Sequence, residues 1–272
     1  MIEVVDPGPL ATVQDHGRPG LAHLGVSGSG AADRRALDRG NSLVGNAAGA
    51  AALECTLAGP RLRFLAPAVV ALTGVEERGP FEAKAGDQLD IGSYARGVRL
   101  YVCVRGGIDV EPVLGSRSAD LMSGIGPPPV RAGDVLRIGN QTGAPAEPEP
   151  YGIPAEPRLR VSPGPRADWF VAGALGALAA SQWRVRPDSN RVGIRLDGPP
   201  LRWAREGELE SEGVVAGALQ VPPSGLPILL GADHPTTGGY PVLAVVAADD
   251  LWLAGQLRPG DIVRFAARDF SC

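Results

Sequence analysis

The chain has 272 residues, of which 44% are hydrophobic and 21% are charged, and its net charge is −4 at pH 7. This composition is typical of a globular protein and excludes a disordered chain, while the mildly acidic balance argues against binding to nucleic-acid phosphates. The longest apolar stretch, residues 170–180, is shorter than the ~20 residues that span a bilayer, and the N-terminus does not resemble a signal peptide. We therefore expect a cytoplasmic protein that does not contact a membrane.

Cysteine and lysine are both rare in this chain. Cys55, Cys103 and Cys272 are far apart, and neither a CxxC pair nor a Cys/His spacing typical of zinc occurs. We expect reduced thiols, with Cys55 and Cys103 packed in the core, and no structural metal. Lys84 is the only lysine, so mechanisms that need a lysine nucleophile have one weak candidate.

Helical signals occur twice along the chain. The first covers residues 31–45, where apolar residues recur near helical spacing, although Gly40 and Asn41 favour an early end. The second covers residues 165–183, where Pro165 suits a first helical turn and a buried stripe follows.

Most of the remaining chain predicts β-strands. The strand-like segments are RLRFL (61–65), AVVALTG (68–74), DQLDIG (87–92), VRLYVCV (98–104), DVLRIG (134–139), PILLG (227–231), PVLAVVA (241–247) and DIVRFA (261–266). A turn of a small residue or proline, glycine and aspartate precedes three of them, in KAGDQLDIG, RAGDVLRIG and RPGDIVRFA. In this turn we expect the glycine to take a positive φ and the aspartate to accept hydrogen bonds from the turn backbone.

The order of these patterns repeats weakly between the two halves of the chain. A PGP turn, a GPxLR-aromatic segment and a Gly-Asp turn with its strand follow one another in both halves. Residues 140–157 between them are rich in proline and glutamate, which is typical of a linker. We therefore expect two related β-rich domains, over residues 1–145 and 158–272.

Polar residues concentrate in stretches that glycine and proline interrupt. TVQDHGRPG (12–20) is either a solvated turn or one wall of a binding site. GVSGSG (25–30) precedes the first predicted helix and offers backbone N–H groups to a phosphate, but it matches no nucleotide fingerprint.

Two further polar stretches allow a functional and a structural interpretation. Arg191 and Arg195 lie four residues apart, so they either clamp a carboxylate or phosphate together or are two solvated arginines. In GADHPTTGGYP (231–241), Asp233 and His234 form either an acid–base pair or a turn with a surface histidine. Because this loop is rich in glycine and proline, we expect Asp233 to contribute little to the stability of the fold.

Several motifs in order resemble one protein family. They are PGPLATVQDHGRPGLAHLGVSGSGAAD, NSLVGN, ALECTLAGP, GGIDVEPVLGSRS, SNRVGIRLDGPPL, SEGVVAGALQVPPSG and ADHPTTGGYPVLAVV. On these residues the chain resembles the biotin-dependent carboxyltransferase family, which includes the C component of 5-oxoprolinase, allophanate hydrolase subunit 2 and half of the carboxyltransferase domain of urea carboxylase. The resemblance covers residues 4–266.

The resemblance implies a mainly β fold of two cyclophilin-like β-barrel domains with a few short helices. It implies one subunit of a hydrolase that opens 5-oxoproline to glutamate with ATP. Its partners would be a homologue of the B component of 5-oxoprolinase, which is like allophanate hydrolase subunit 1, and a LamB/YcsF-type subunit. The chain contains no biotin-carrier segment and no P-loop lysine. Any biotin is therefore expected on another chain, and ATP is expected at a site that involves the partner.

The resemblance and the residue types together give a set of candidate site residues. The catalytic candidates are Asp233 and Asp15. The substrate-binding candidates are Gln14, Arg18, Arg191, Arg195, Gln220, Thr236, Thr237 and Tyr240. Two alternatives to the oxoprolinase function remain at this point: a carboxyltransferase subunit of a biotin-dependent urea-type carboxylase, and a non-catalytic regulator that antagonises a kinase inhibitor.

Overall fold

The computed structural model describes residues 1–47 and 49–267, so Cys272 lies outside the described residues. The chain divides into two units, each with its own hydrophobic core. Unit 1 comprises Met1–Gly20 and Gly28–Ile153, and unit 2 comprises Leu21–Ser27 and the chain from Pro154 onward. The mainly β class expected from the sequence is confirmed. The sequence patterns did not indicate that residues 21–27 belong to the second unit.

Unit 1 consists of two five-stranded sheets and a helix. Its elements are β1 (Ile2–Asp6), β2 (Leu10–Gln14), α1 (Arg34–Val44), β3 (Ala52–Thr56), β4 (Arg61–Phe64), β5 (Ala68–Gly74), β6 (Arg78–Ala83), β7 (Gln88–Asp90), β8 (Arg99–Val104), β9 (Ile108–Asp109) and β10 (Val135–Ile138). The strand orders are β7-β4-β1-β10-β9 and β2-β3-β8-β5-β6. Strand β8 is buried on both faces, because one face lies on the unit 1 core and the other faces α1.

Helix α1 begins and ends with well-defined caps. The Asp33 carboxylate accepts a hydrogen bond from the Ala36 backbone N–H at 2.9 Å, and Gly45 closes the helix at a φ of 68°. The expected early end at Gly40 and Asn41 is wrong. Gly40 instead lets the helix approach β5 and β8, and the Asn41 side chain donates to the Ala50 carbonyl, so both residues are used inside the helix.

Replacing Gly40 with alanine is expected to destabilise the protein, although alanine favours helices over glycine by roughly 1 kcal/mol. A Cβ atom at this position would lie 2.8 Å from Thr73 Oγ1 and 3.1 Å from Cys103 Cβ, both in the packed layer beneath the helix. Such overpacking costs about 1–3 kcal/mol. Thermal unfolding measures the effect. Gly176 is the matched control, because it lies in a helix of unit 2 with no atom within 4 Å of an added Cβ, so Gly176→Ala should be neutral or stabilising.

Unit 2 is built around a closed barrel of seven strands, in the order β11-β18-β15-β16-β13-β12-β19. Its elements are β11 (Arg158–Pro163), α2 (Ala174–Ala180), β12 (Trp183–Val185), β13 (Gly193–Asp197), β14 (Glu212–Gly213), β15 (Ala218–Gln220), β16 (Ile228–Leu230), β17 (Thr237–Gly238), β18 (Val242–Val246), α3 (Leu251–Gly255) and β19 (Ile262–Ala267). Strands β14 and β17 form a separate two-stranded ribbon. The barrel closes through a parallel pairing of β11 with β19. No helix in the described part of the chain is long and apolar enough to cross a membrane.

The long helix expected over residues 165–183 is wrong in its first half. Residues 167–169 form a single 3-10 turn, after which Phe170 is extended and pairs with Trp203. Gly173 has a φ of 86°, which is outside the helical region, so α2 covers only Ala174–Ala180. Trp183 begins strand β12 and is fully buried. The strand pairings of Phe170 and Trp183 therefore override the local helical preference.

The three repeated Gly-Asp turns adopt the expected geometry. In each, the aspartate carboxylate accepts a hydrogen bond from the backbone N–H three residues earlier, at 2.7–2.8 Å. The three glycines have φ values of 93°, 88° and 94°. The expected turn chemistry is thus confirmed at Asp87, Asp134 and Asp261, and each turn leads into its strand.

Candidate functional site

The stretch TVQDHGRPG turns inward at its centre. Strand β2 ends at Gln14, and the Asp15 carboxylate then accepts four hydrogen bonds. The donors are the backbone N–H groups of Gly17 (2.7 Å) and Arg117 (2.6 Å) and the hydroxyls of Ser116 (2.6 Å) and Ser118 (2.5 Å). Asp15 therefore joins the turn after β2 to the segment 116–118 of unit 1.

Gln14 and Arg18 point to the same segment from either side of Asp15. The Gln14 amide nitrogen donates to Thr12 Oγ1 and to the Ala119 carbonyl, both at 3.0 Å. The Arg18 guanidinium donates to the Ser118 carbonyl. Gln14 is fully buried and Arg18 is 2% exposed. The structure thus brings Gln14, Asp15 and Arg18 together, and each side chain is engaged by residues 116–119.

His16 is a partly exposed residue of this turn. Its Nε2 lies 2.5 Å from Asp38 Oδ1 on α1, with about half of each side chain exposed, and the His16 carbonyl accepts from Arg34. The hydrogen bond that His16 donates to the Asp38 carboxylate is the main cause that raises the pKa of His16 above 6.5. The histidine therefore links the turn to the helix when it is protonated.

The His16–Asp38 pair predicts a pH dependence with a definite sign. Because the folded pKa lies above the unfolded value, the pair stabilises the fold fully below pH ~6.5, and this contribution is lost as the pH rises through the folded pKa. NMR titration of the His16 ring should show the raised midpoint, and Asp38→Asn should return it towards 6.5. Equal midpoints in the two proteins would refute the link.

The sequence analysis did not single out a second buried polar cluster in unit 1. Glu54 on β3 is 1% exposed, and its carboxylate accepts from Tyr101 Oη at 2.6 Å, from the Ala32 N–H at 2.9 Å and from Arg99 Nε at 3.1 Å. The Tyr101 hydroxyl also accepts from the Asp33 N–H, and burial raises its pKa well above the ordinary value. The available signal was a lone glutamate inside the apolar segment ALECT, which indicates a buried, partnered charge.

Arg191 and Asp233 meet in unit 2 as a buried ion pair. The guanidinium contacts the carboxylate in a two-pronged arrangement, with Nε–Oδ2 and Nη2–Oδ1 distances of 2.8 Å. Arg191 is 2% exposed and Asp233 is 0% exposed. The acid–base pair considered for Asp233 and His234 does not form in this arrangement, because His234 Nδ1 faces the Pro235 carbonyl at 2.6 Å while the aspartate faces Arg191.

Arg195 does not join Arg191. Its guanidinium is about half exposed and lies 3.5 Å from the Asp188 carboxylate, while Arg191 precedes β13 and turns inward. The two arginines therefore face different carboxylates, Asp233 and Asp188, and the alternative in which they form a common clamp is not seen among these side chains. Cys55 and Cys103 are buried free thiols whose pKa values burial raises, which confirms their expected place in the core.

The remaining candidates of unit 2 lie at the β14–β17 ribbon. Thr237 belongs to β17, the Thr236 carbonyl accepts from the Val214 N–H, and Tyr240 is 44% exposed just after the ribbon. Gln220 is 6% exposed at the end of β15, and its amide nitrogen donates to the Tyr240 carbonyl at 3.3 Å. These four residues therefore lie in or next to the ribbon, and their role in a common site stays a prediction.

The structure adds two charged residues to this ribbon that the sequence analysis missed. The Arg166 guanidinium donates through Nε to Glu212 Oε2 at 2.8 Å, and its Nη2 lies 2.7 Å from the same oxygen. The hydrogen bond with Glu212 is the main cause that raises the pKa of Arg166. The signal that was available is the charged Glu212 within the motif SEGVVAGALQVPPSG, but its partner lies 46 residues away.

A shallow pocket of about 330 Å³ lies elsewhere in unit 2. It is lined by Pro200, Leu201, Arg202, Trp203, Pro223, Ser224 and Gly225. None of the candidate site residues lines it, so the pocket does not support them.

Comparison with known proteins gives a consistent family. A carboxyltransferase domain, subdomain A and B, matches residues 24–267. The chain is 38% identical to the C component of 5-oxoprolinase from Escherichia coli, over 97% of this chain and 90% of that protein. It is 33% identical to urea amidolyase of Saccharomyces cerevisiae, over 97% of this chain but only 16% of that protein.

A solved structure supports the same relationship. The urea amidolyase of K. lactis matches the fold with a TM-score of 0.91 at 32% identity, over 98% of this chain and 19% of that chain. The chain therefore spans less than a fifth of these urea enzymes, whereas it matches nearly the whole of the bacterial protein. From these matches, the chain belongs to the carboxyltransferase domain family of subdomains A and B.

Proposed function

We propose that this chain is the C component of an ATP-dependent 5-oxoprolinase, which opens 5-oxoproline to glutamate together with a homologue of the B component and a LamB/YcsF-type subunit. The proposal rests on how much of each protein the alignments cover. The chain and the C component of the E. coli 5-oxoprolinase align over 97% and 90% of their lengths, whereas the urea enzymes are several times longer.

A second candidate is the carboxyltransferase part of a biotin-dependent urea-type carboxylase. The TM-score of 0.91 with urea amidolyase favours it, because the carboxyltransferase fold is closely matched over 98% of this chain. In this alternative, a biotin carried by another chain would deliver the carboxyl group, since Lys84 lies in the Gly-Asp turn between β6 and β7 rather than in a carrier segment.

Within the proposed function, the geometry supports a positioning role for Asp15 and Asp233. Each carboxylate is already engaged by donors of the chain, four for Asp15 and the Arg191 guanidinium for Asp233. Gln14 and Arg18 donate to the Ala119 and Ser118 carbonyls and so hold the same segment as Asp15. The candidates with solvent-facing or ribbon-facing side chains, namely Arg195, Gln220, Thr237 and Tyr240, are better placed to touch the substrate.

Two features of this chain that could receive a phosphate are already occupied by carboxylates of the chain itself. Arg191 is buried against Asp233, and the start of α1 is occupied by the Asp33 carboxylate, which would repel a phosphate. We therefore assign nucleotide binding to the partner subunits and derive no step through ATP on this chain. The absence of a structural metal stays a prediction that elemental analysis would check.

Reconstitution tests the proposed function directly. The chain should co-elute with a homologue of the B component in size-exclusion chromatography, and the complete complex should release glutamate from 5-oxoproline only with ATP. Avidin, which sequesters biotin, should leave this activity unchanged. Separate elution at micromolar concentration, or turnover of urea that avidin abolishes, would contradict the oxoprolinase assignment.

A further inference from the structure

Glu212 carries a carboxylate oxygen that its surroundings leave unused. Arg166 contacts Oε2, while Oε1 is buried and has no hydrogen-bond partner among the described residues. A buried carboxylate oxygen is costly unless it accepts a hydrogen bond, so such an atom marks a place for a donor from outside the chain. Because a carboxylate only accepts, the missing group is an N–H or O–H.

Gly238 places Gln220 on the same side of the ribbon as Glu212. Glu212 and Gly238 are direct partners in the antiparallel ribbon, so their side-chain directions share one face. A Cβ atom on Gly238 would lie 2.5 Å from Gln220 Nε2. The Gln220 amide therefore occupies the space next to Gly238, on the ribbon face to which the Glu212 side chain also points.

We propose that Glu212 and Gln220 bind the cis-amide edge of a small cyclic amide or ureide, with Gln220 Nε2 donating to the ligand carbonyl and Glu212 Oε1 accepting from the ligand N–H. The assignment rests on the proposed function, in which the substrate is a lactam. Glu212 and Gln220 would then be the two residues that form hydrogen bonds with the N–H and the carbonyl of this lactam. A cyclic amide holds its N–H and carbonyl side by side, which matches one acceptor next to one donor.

Arg166 and the ribbon complete the arrangement. The ion pair with Arg166 fixes the carboxylate so that Oε2 is occupied and Oε1 is left for the ligand. Each ribbon strand is only two residues long and lies outside the barrel. Isolated two-stranded ribbons are marginally stable, so a small local movement of this short ribbon would give a ligand access to the buried Oε1.

The test measures binding of three probes to the full-length chain: 5-oxoproline, N-methyl-5-oxoproline and free biotin. By isothermal titration calorimetry, the wild type should bind 5-oxoproline about ten- to hundredfold more tightly than its N-methyl analogue, because the analogue lacks the N–H. In Glu212→Gln this preference should fall severalfold, and Gln220→Leu should weaken binding of both lactams. Glu210→Gln is the matched control, since Glu210 is an exposed neighbour and should leave every affinity unchanged.

The outcomes separate this inference from the proposed function. If Glu212→Gln keeps the full N–H preference, or if no probe binds the wild type, the assignment of the cis-amide edge is overturned, while glutamate release by the wild-type complex would still support the oxoprolinase. A third outcome is that biotin binds, 5-oxoproline does not, and Glu212→Gln weakens biotin binding at least tenfold. In that case the assignment of the cis-amide edge holds, and the carboxyltransferase alternative replaces the oxoprolinase. Melting temperatures of all variants identify a loss of binding that comes from unfolding.

Discussion

Asp233→Asn is expected to lower the free energy of unfolding by about 3–5 kcal/mol, because it removes one partner of a buried ion pair and leaves the Arg191 charge without its carboxylate. Both side chains are almost completely buried, and the two contacts are 2.8 Å long. Arg191→Lys should also destabilise, since an ammonium cannot reproduce the two-pronged contact. Urea unfolding followed by circular dichroism measures both effects.

The neighbouring pair of Arg195 and Asp188 is the matched control. It is about half exposed, with a separation of 3.5 Å, so solvent screens it and it contributes far less to stability than a buried pair. Arg195→Met should therefore change stability far less than Arg191→Met. Equal effects of the two replacements would show that burial does not determine the strength of the Arg191–Asp233 pair.

This result would also correct the expectation that Asp233 contributes little to the fold. The surrounding loop is rich in glycine and proline, but its aspartate faces inward to a residue 42 positions earlier. A loss of activity in Asp233→Asn is therefore not evidence for a catalytic base. Activity of this variant has to be compared at a temperature at which both proteins are folded.

Asp15→Ala is expected to destabilise the protein by about 3 kcal/mol or more, because four donors lose an ionised acceptor and each such bond contributes roughly 1.5–3 kcal/mol. In a protein of this size, each kcal/mol corresponds to roughly 2–4 °C in the melting temperature. Asp6→Ala is the control, since Asp6 is exposed, accepts a hydrogen bond from the Gly8 N–H and forms only a long, solvent-exposed ion pair with Arg61 at 3.7 Å.

Hydrogen exchange gives a local test of the same residue. The Gly17 and Arg117 amides donate to the Asp15 carboxylate, so both should exchange faster in Asp15→Ala than in the wild type. Unchanged exchange at Arg117, together with an unchanged melting temperature, would contradict the role of Asp15 as the link between the two segments.

Sequence patterns predicted strands and turns well where the interactions that form them lie within a few residues of each other. AVVALTG corresponds to β5 residue for residue, and the three Gly-Asp turns form as expected because glycine and aspartate act within three residues. The helix over 165–183 failed because its apolar residues serve distant partners. Phe170 pairs with Trp203, and periodicity does not encode such a pairing.

The candidate site was predictable in its residue types but not in its geometry. Motifs located Asp15, Arg191 and Asp233, yet the sequence does not show that each carboxylate is already occupied by donors from distant segments. Arg166 and Glu212 were missed for the same reason. Arg166 precedes β12 and Glu212 follows β13, so 46 residues separate the two partners in the sequence. Long-range pairing of polar groups is set by the fold, and a single sequence lacks that information.

The parallel pairing of β11 with β19 has a consequence for how unit 2 forms during synthesis. Arg158 on β11 pairs with Arg264 on β19, so the barrel's ring of hydrogen bonds cannot close until β19 has been synthesised. Pairings between such distant segments slow folding, and nascent chains with unpaired strand edges are prone to aggregate. Until residues 262–267 leave the ribosome, β11 and β12 lack the strand that joins them, and the nascent chain is most exposed to wrong strand pairing at those two edges.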